Sequence, residues 1–333
     1  MTPRHSSRLF AVCLSVSLTA CSSGPPIETE PRLATFGRSA FQSGPIELPA
    51  NYREADYRRL IMAVAFMEQG ARPGEISNEI IQTVSTRLQT EMQKLRRFTI
   101  FSLHNRGGVR LVEELHQYGE ANVHLPKGEA LPPLDLVLTG SLTMSKERQS
   151  RYSHDELVYE VECDVSAEDL KTRTVRFAEK AKGRALRTQA VSLSGRQLGG
   201  IQEDDERQAL FEAAMKALLV LANKLGNTFP IGGRVTGILG DRLTLDKGFD
   251  SGIAGKTQMV VYTKVQGVDL PMAMAEAHPG AEATNLTVWR WNTDDPDAKR
   301  AIDALRQSPD WLGTHELWAV SAGMPLPPEW EGF

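Results

Sequence analysis

The fold of this chain is decided by the stretch Leu157-Val-Tyr-Glu-Val-Glu-Cys-Asp-Val165. Its odd positions are apolar or carry cysteine, and its even positions are mostly acidic, which is the period of a β-strand with one wet face. The segment Glu168–Thr172 predicts a turn, and Val175–Ala185 predicts the antiparallel partner strand. The chain is therefore expected to contain a sheet that is covered on one face and solvated on the other.

Two amphipathic helices are predicted on either side of this hairpin. Apolar residues recur every four positions over Ile76–Leu95, which is the spacing of one helix face. A second apolar stripe ends at Leu225, and Gly226 follows it in the position of a C-cap glycine. Asp204 or Asp205 is the candidate cap at the start of that helix. The other predicted elements are strands over Leu60–Phe66, Phe98–Ser102 and Leu134–Met144, and a short helix over Val109–Tyr118.

The character of the sequence changes after Gly226. Short apolar segments such as Met259–Tyr262 are separated by frequent glycines, which is typical of a small, sharply bent barrel of short strands. Two more strands are predicted over Asn285–Trp291 and Glu316–Ser321. Between them, Asp295-Pro296 predicts a helix start, with an N-cap followed by proline in the first turn.

The predicted fold class is therefore α+β. A mixed sheet with helices on its face is expected over residues 56–226. A small β-rich barrel domain of the SH3-like type, with one helix, is expected over residues 227–333.

Residues 1–20 have the layout of a secretory signal peptide. A basic start precedes the uncharged apolar run Leu9–Ala20, which is too short to cross a membrane as a mature helix. The end of this run, Leu18-Thr-Ala-Cys21, is similar to a bacterial lipobox. That resemblance implies cleavage before Cys21 and lipidation of Cys21, with the outer membrane as the membrane partner.

The segment after the predicted anchor is rich in Ser, Gly, Pro and Glu, so residues 21–55 are predicted to be a flexible tether. Ser22 is not the aspartate that favours inner-membrane retention in similar lipoproteins. The expected location is the periplasmic face of the outer membrane.

Composition and cysteine count narrow the function classes. The net charge of −4 gives no basic field, so nucleic acid is not expected as a partner. Cys13 leaves with the signal and Cys21 carries lipid, so Cys163 alone remains and no intrachain disulfide or thiolate metal site is expected. No second apolar stretch approaches the roughly 20 residues that a membrane-spanning helix needs.

Five segments give the first part of the chain a resemblance to a known family. They are, in order, Leu60–Phe66, Lys94-Leu-Arg-Arg-Phe98-Thr-Ile, Leu111-Val-Glu-Glu-Leu115, Asp135-Leu-Val-Leu-Thr-Gly-Ser141 and the turn Leu170-Lys-Thr172. This order resembles the family of the curli secretion channel lipoprotein. The penicillin-binding-protein activator lipoproteins and the middle domain of the flagellar H-ring protein are related to it. The glycine-rich segment from Gly233 to Gly255 resembles the carboxy-terminal domain of the H-ring protein.

The resemblance implies a periplasmic scaffold able to form rings. We do not predict pore formation from this resemblance, because the connection between the two hairpin strands is charged and the strands have no aromatic girdle. The expected function is that of a non-enzymatic lipoprotein, an accessory ring component of a secretion or flagellar apparatus. Its expected partners are envelope proteins and further copies of the chain. The alternative is an activator lipoprotein that binds a peptidoglycan synthase.

No motif in the chain predicts catalysis, a cofactor or a metal. Gly255-Lys-Thr257 resembles the end of a phosphate-binding loop, but the glycine that the loop requires at position 250 is an aspartate. The spacing of His104, His116 and His124 is not that of ligands on one element. We therefore predict a tight turn at the first motif and surface histidines at the second.

The candidate contact residues are mostly tryptophans. Trp289, Trp291 and Trp330 belong to a group of five tryptophans that all lie beyond residue 288. They are either the core of a small domain or a contact surface, since Trp often anchors interfaces. The proline-rich end of the chain is predicted either to dock on a partner or to cover an edge of its own domain. Leu111 and Leu115, on the predicted short helix, are the candidate ring contacts together with exposed edge strands.

Overall fold

The computed structural model describes residues 33–34, 36–68, 78–102, 134–150, 154–190, 203–308 and 311–330. These residues form a five-stranded sheet with two helices and a separate closed barrel of six strands. The elements of the sheet part are β1 (Leu60–Glu68), α1 (Asn78–Lys94), β2 (Phe98–Ser102), β3 (Leu136–Ser150), β4 (His154–Asp169), β5 (Thr174–Ala190) and α2 (Glu203–Thr228). The predicted α+β class is confirmed.

The sheet has the strand order β2-β1-β3-β4-β5. Strand β1 is parallel to both β2 and β3, whereas β3, β4 and β5 form an antiparallel meander. The sheet is therefore mixed, and β2 and β5 are its two edges within the described residues.

Strands β4 and β5 are longer than their patterns predict, with 16 and 17 residues. The inward side chains of β4, at the odd positions from Leu157 to Ala167, are buried, as the alternation predicts. A bulge opposite the junction of Ala167 and Glu168 shifts the register. The bulge places Val175 on the outer face, 60% exposed, while Phe177 points inward and is buried.

The inner face of the sheet is covered by α1 and α2, and together they form one apolar core. Helix α2 approaches β5 very closely at Gly183. A Cβ atom added at Gly183 would lie 1.9 Å from the carbonyl oxygen of Ala213 and 2.8 Å from the backbone nitrogen of Ala217. Glycine in the strand and alanines in the helix are therefore what allow these two elements to pack at this distance.

Both predicted caps of α2 are wrong. The helix already begins at Glu203, so Asp204 and Asp205 lie in its first turn. It continues to Thr228, so Gly226 is inside the last turn. A Cβ atom at Gly226 would lie 3.0 Å from Met324 Sδ and 3.2 Å from Leu95 Cδ1, so this glycine makes room for side chains that pack on the helix.

The small β-rich barrel that the sequence predicts is present, with six strands in a closed order and with two helices where one was expected. Its strands are β6 (Gly232–Leu239), β7 (Arg242–Leu245), β8 (Gln258–Val265), β9 (Val268–Pro279), β10 (Thr284–Trp291) and β11 (Leu317–Ser321), in the closed order β10-β7-β6-β11-β8-β9. Helices α3 (Pro296–Gln307) and α4 (Trp311–Thr314) precede β11. The cap at Asp295 is as predicted: its Oδ1 accepts hydrogen bonds from the backbone nitrogens of Asp297 and Ala298, at 2.8 and 3.0 Å.

The segment 36–57 packs on the body, so the predicted flexible tether over residues 21–55 is wrong for this part. Ile46 and Tyr57 are buried against barrel residues such as Tyr262. The Tyr57 and Tyr262 hydroxyls lie 3.0 Å apart, and Tyr52 donates a hydrogen bond to Asp269. The composition suggested disorder, but apolar side chains at intervals of a few residues supply enough buried surface to order the segment.

Direct contacts also join the sheet part to the barrel. Arg97, which follows α1, is fully buried, and its Nη2 donates a 3.1 Å hydrogen bond to Ser321 Oγ at the end of β11. Burial lowers the pKa of this guanidinium to about 9. The same Ser321 oxygen accepts a 3.0 Å hydrogen bond from the backbone nitrogen of Ile231, which connects α2 to β6.

Several predicted features lie outside the described residues. They are the signal peptide, Cys21, the helix over Val109–Tyr118 with Leu111 and Leu115, and the histidines at 104, 116 and 124. Within the described ranges, none of the helices combines the length and the apolar composition that crossing a membrane requires.

Candidate functional site

Strand β5 is an edge of the sheet. Among the described residues it pairs with β4 alone, from Thr174 to Ala190, so its other side has no strand neighbour. Two carbonyls on this strand accept hydrogen bonds from side chains: that of Arg184 from Lys216 Nζ of α2 at 3.1 Å, and that of Leu186 from Arg187 Nη1 at 3.0 Å. A strand of 17 residues extends for about 55 Å. The edge therefore offers a long row of backbone donors and acceptors to an added strand.

The outer face beside this edge is neutralised by ion pairs. Lys180, Lys182 and Arg184 of β5 stand directly opposite Asp164, Glu162 and Glu160 of β4. The distances are 2.8 Å for Lys180–Asp164 and 2.6 Å for Arg184–Glu160. Partial burial acts to raise the pKa of Glu160, but hydrogen bonds from Arg184 and Lys182 lower it overall. The acidic stripe that the sequence shows on β4 is therefore one side of a ladder of ion pairs.

Trp289 and Trp291 lie on the same strand, but they pack into different clusters. A bulge between Val288 and Arg290 interrupts the alternation of β10. Trp289 packs beside Tyr262 outside the barrel, and its Nε1 donates to Gln258 Oε1 at 2.9 Å. Trp291 packs against the barrel core, and its Nε1 donates to Asp241 Oδ1 at 2.9 Å. The pair does not form one contact surface.

Trp330 is a core residue of the sheet part. Its side chain is 1% exposed, and its Nε1 donates a 2.7 Å hydrogen bond to Glu91 Oε2 on α1. Glu91, which is buried, also pairs with Arg87 and Lys94. The proline-rich tail was predicted either to dock on a partner or to cover an edge of its own barrel domain, and instead it packs on the core of the sheet part. Trp330 is not available to a partner in this arrangement.

The motifs that could suggest chemistry have structural roles where they are described. Gly255 and Lys256 form a turn, and Thr257 Oγ1 donates to the Ala254 carbonyl at 2.8 Å. Cys163 is buried within the sheet core, and burial raises the pKa of its thiol to about 12. Among the described residues, no cluster of three His, Cys, Asp or Glu side chains could hold a metal ion.

A small charged cleft lies at the end of the sheet where β1 and β3 begin. Asp135 accepts a 2.9 Å hydrogen bond from Arg58 Nη1 and another of 2.9 Å from the backbone nitrogen of Ile61. Burial acts to raise the pKa of Asp135, but these hydrogen bonds and the charges of Arg58 and Lys171 lower it overall. The cleft measures about 170 Å³. The charged side chains that line the cleft pair with one another, and these contacts hold the start of β1 in place.

A larger groove of about 960 Å³ lies between the end of α1, the barrel and the two terminal segments. Its larger apolar lining residues are Phe36, Leu95, Phe249, Met324 and Leu326, and its basic lining residues are Arg38, Lys94, Arg96 and Lys256. Glu276 and Glu329 are the acidic residues in the lining. Sequence reasoning missed this groove because its residues come from four separate parts of the chain.

Comparison with known proteins does not identify a family. No family model matches the chain, and no curated protein matches it. The chain is similar to the solved structure of a neuraminyllactose-binding hemagglutinin homolog from Helicobacter pylori, at 12% identity and a TM-score of 0.32, over 55% of this chain and 92% of that one. It is also similar to lipoprotein GNA1162 from Neisseria meningitidis, at 10% identity and a TM-score of 0.27, over 44% of this chain and 88% of that one.

A third solved structure is the PelC dodecamer from Paraburkholderia phytofirmans, in a variant with one substitution. It matches at 10% identity and a TM-score of 0.25, over 50% of this chain and 90% of that one. Bacterial lipoproteins are thus among the proteins that this chain is similar to. At these TM-scores the likeness carries no argument about function. The resemblance to the curli secretion channel and the flagellar H-ring protein remains a prediction from the sequence.

Proposed function

We propose that this chain is a lipid-anchored scaffold at the periplasmic face of a bacterial outer membrane. It works through protein contacts and not through catalysis. Its lipobox-like segment ending at Cys21 supplies the anchor. Copies of the chain assemble side by side into a ring that accompanies a secretion or flagellar apparatus.

The observation that carries this proposal is the long edge of β5, which has no strand neighbour among the described residues. Edge strands of soluble proteins are usually short, bulged or protected by unpaired charge, because a free edge invites another strand. Strand β5 is 17 residues long, its bulge lies near its start between Val175 and Phe177, and the basic side chains near its centre are already neutralised by β4. On the inner face, Glu179 is likewise paired with Lys224 of α2, at 2.7 Å. Net charge repulsion therefore does little to keep a second chain away from this edge.

The mature chain with Cys21→Ser, which removes the lipid, is expected to associate in solution. Sedimentation velocity between about 1 and 100 µM should show a mass that rises with concentration, because we expect a dissociation constant on the order of 10 µM for the contact without the membrane. A single monomeric species across this range would contradict self-assembly.

Prolines at two successive positions of β5 test whether the edge is the contact. Along an antiparallel strand the backbone N–H groups point alternately to the neighbour and away from it. Ala178→Pro and Glu179→Pro therefore differ: one removes a bond to β4 and lowers the melting temperature, whereas the other removes only an edge donor. The variant that retains its melting temperature should lose association. Unchanged association in that variant would place the contact elsewhere.

A further inference from the structure

The groove between α1 and the barrel contains an exposed aromatic residue beneath a guanidinium. Phe249 is 39% exposed, and the guanidinium carbon of Arg96 lies 3.6 Å from the centre of its ring. Large apolar side chains that remain exposed within a concave surface are typical of binding sites.

The two basic residues at the floor and rim of this groove hold unfavourable backbone conformations. Arg96 has φ 56° and Lys256 has φ 62°, and they are two of four non-glycine residues with positive φ in the described part of the chain. Glycine adopts such angles without steric penalty, whereas other residues are destabilised there. Positions of this kind are often found where function requires the side chain.

The backbone at Arg96 is fixed from two sides. Its carbonyl oxygen accepts a 2.9 Å hydrogen bond from Arg59 Nε. The chain at Gly252 passes so close that a Cβ atom there would lie 2.3 Å from the same oxygen. The left-handed conformation is therefore imposed by the surroundings, and the arginine side chain projects from a rigid point.

The charge of the groove is not balanced. Lys94 is paired with Glu91, and Arg38 lies over the ring of Trp289, 4.7 Å from its centre. Neither Arg96 nor Lys256 forms an ion pair within the described ranges, and Glu276 interacts with Gln258 at 3.2 Å. Arg96, although it lies over the Phe249 ring, and Lys256 thus have no carboxylate partner among the described residues. Their charges beside an apolar floor favour an anionic ligand that also carries apolar groups.

We infer that this groove binds an extended acidic segment of a partner protein, with its carboxylates on Arg96 and Lys256 and an apolar side chain on Phe249. This inference rests on the proposed function as a scaffold, for which it names a second contact surface, distinct from the β5 edge. A volume of about 960 Å³ suits several residues of extended chain. A bilayer surface is flat on this scale and does not enter a concave groove, so anionic lipid is the less suitable ligand.

The probe is a fluorescein-labelled hexapeptide, Glu-Leu-Glu-Phe-Glu-Leu, titrated with the mature Cys21→Ser chain and followed by fluorescence anisotropy. We expect a dissociation constant on the order of 10–100 µM at low salt, weakened by added salt. The peptide in which glutamine replaces each glutamate should bind at least about tenfold more weakly.

Variants locate the site and separate binding from folding. Arg96→Gly should weaken binding by about tenfold, and Lys256→Gln by about threefold. Glycine adopts positive φ without steric penalty. Arg96→Gly should therefore leave the melting temperature unchanged or raise it by roughly a few degrees. A purely structural arginine would instead lower it. The control Arg242→Gln, an exposed arginine on β7 outside the groove, should change binding by less than about twofold.

Two results would overturn the inference. The first is the absence of saturable peptide binding, or binding that Arg96→Gly and Lys256→Gln leave unchanged. The second is binding to phosphatidylglycerol vesicles, sensitive to the same variants, without binding to the peptide, which would make the groove a lipid site. The titration needs no self-assembly. If the chain binds the peptide but stays monomeric, the groove inference stands and only the proposed ring is contradicted. If the chain assembles but does not bind the peptide, only the groove inference is contradicted.

Discussion

Gly183→Ala is expected to destabilise the sheet part severely. The added methyl group would lie 1.9 Å from the carbonyl oxygen of Ala213 and 2.8 Å from the nitrogen of Ala217. Both are backbone atoms inside a helix of 26 residues, so neither can rotate away as a side-chain atom could. We expect a loss of about 3 kcal/mol or more in the free energy of unfolding, at the upper end of overpacking effects. The measurement is urea denaturation followed by circular dichroism.

Gly313→Ala is the matched control for this substitution. A Cβ atom at Gly313 meets nothing within 4 Å, and the residue lies in the short helix α4. Alanine is favoured over glycine in a helix. The free energy of unfolding of this control should therefore be unchanged or higher by roughly a few tenths of a kcal/mol. Equal unfolding midpoints for the two variants would show that α2 does not approach β5 as closely as described.

Trp330→Ala is expected to cost about 3–5 kcal/mol, the usual range for removing a buried tryptophan. The indole is 1% exposed, belongs to the same core as α1 and α2, and bonds Glu91 through Nε1. Its loss leaves a cavity and removes one donor from a buried carboxylate. The free energy of unfolding from chemical denaturation measures the effect.

Trp330→Phe separates the two contributions. Phenylalanine retains most of the ring volume but has no donor for Glu91, so we expect a smaller loss of about 1–2 kcal/mol. Trp289→Phe is the comparison at a partly buried position, where the effect should be smaller than that of Trp330→Ala. If Trp330→Ala unfolds at the same denaturant concentration as the parent, the tail does not contribute to the core. The contact-surface alternative would then regain support.

Periodicity predicted the sheet because its strands obey local rules. The alternation in β4 and the four-residue spacing in α1 each reflect one buried face. The period of such a face can be recognised within a short window of sequence. The same reasoning failed at helix α2, where the surroundings and not the local sequence explain Gly226. Met324 and Leu95 crowd that position from distant parts of the chain.

The candidate site was less accessible to sequence reasoning. The bulge at Val288 and Arg290 separates Trp289 from Trp291, and no residue type marks its position in advance. The groove joins Phe36, Arg96, Phe249 and Leu326, which are up to 290 positions apart. The order of segment 36–57 depends on apolar surfaces of the barrel that a local composition count does not contain. Each of these features is a property of tertiary contacts.

The most direct test of the proposed assembly is site-specific photocrosslinking in intact cells. A photoreactive amino acid replaces Ala178, which is exposed on β5, or Asp303, which is exposed on α3 and serves as the control. We predict that position 178 yields a product with twice the mass of the chain, containing peptides of this chain alone, and that position 303 does not. If position 178 gives no such product, or if both positions give it equally, the β5 edge is not where copies of this protein meet.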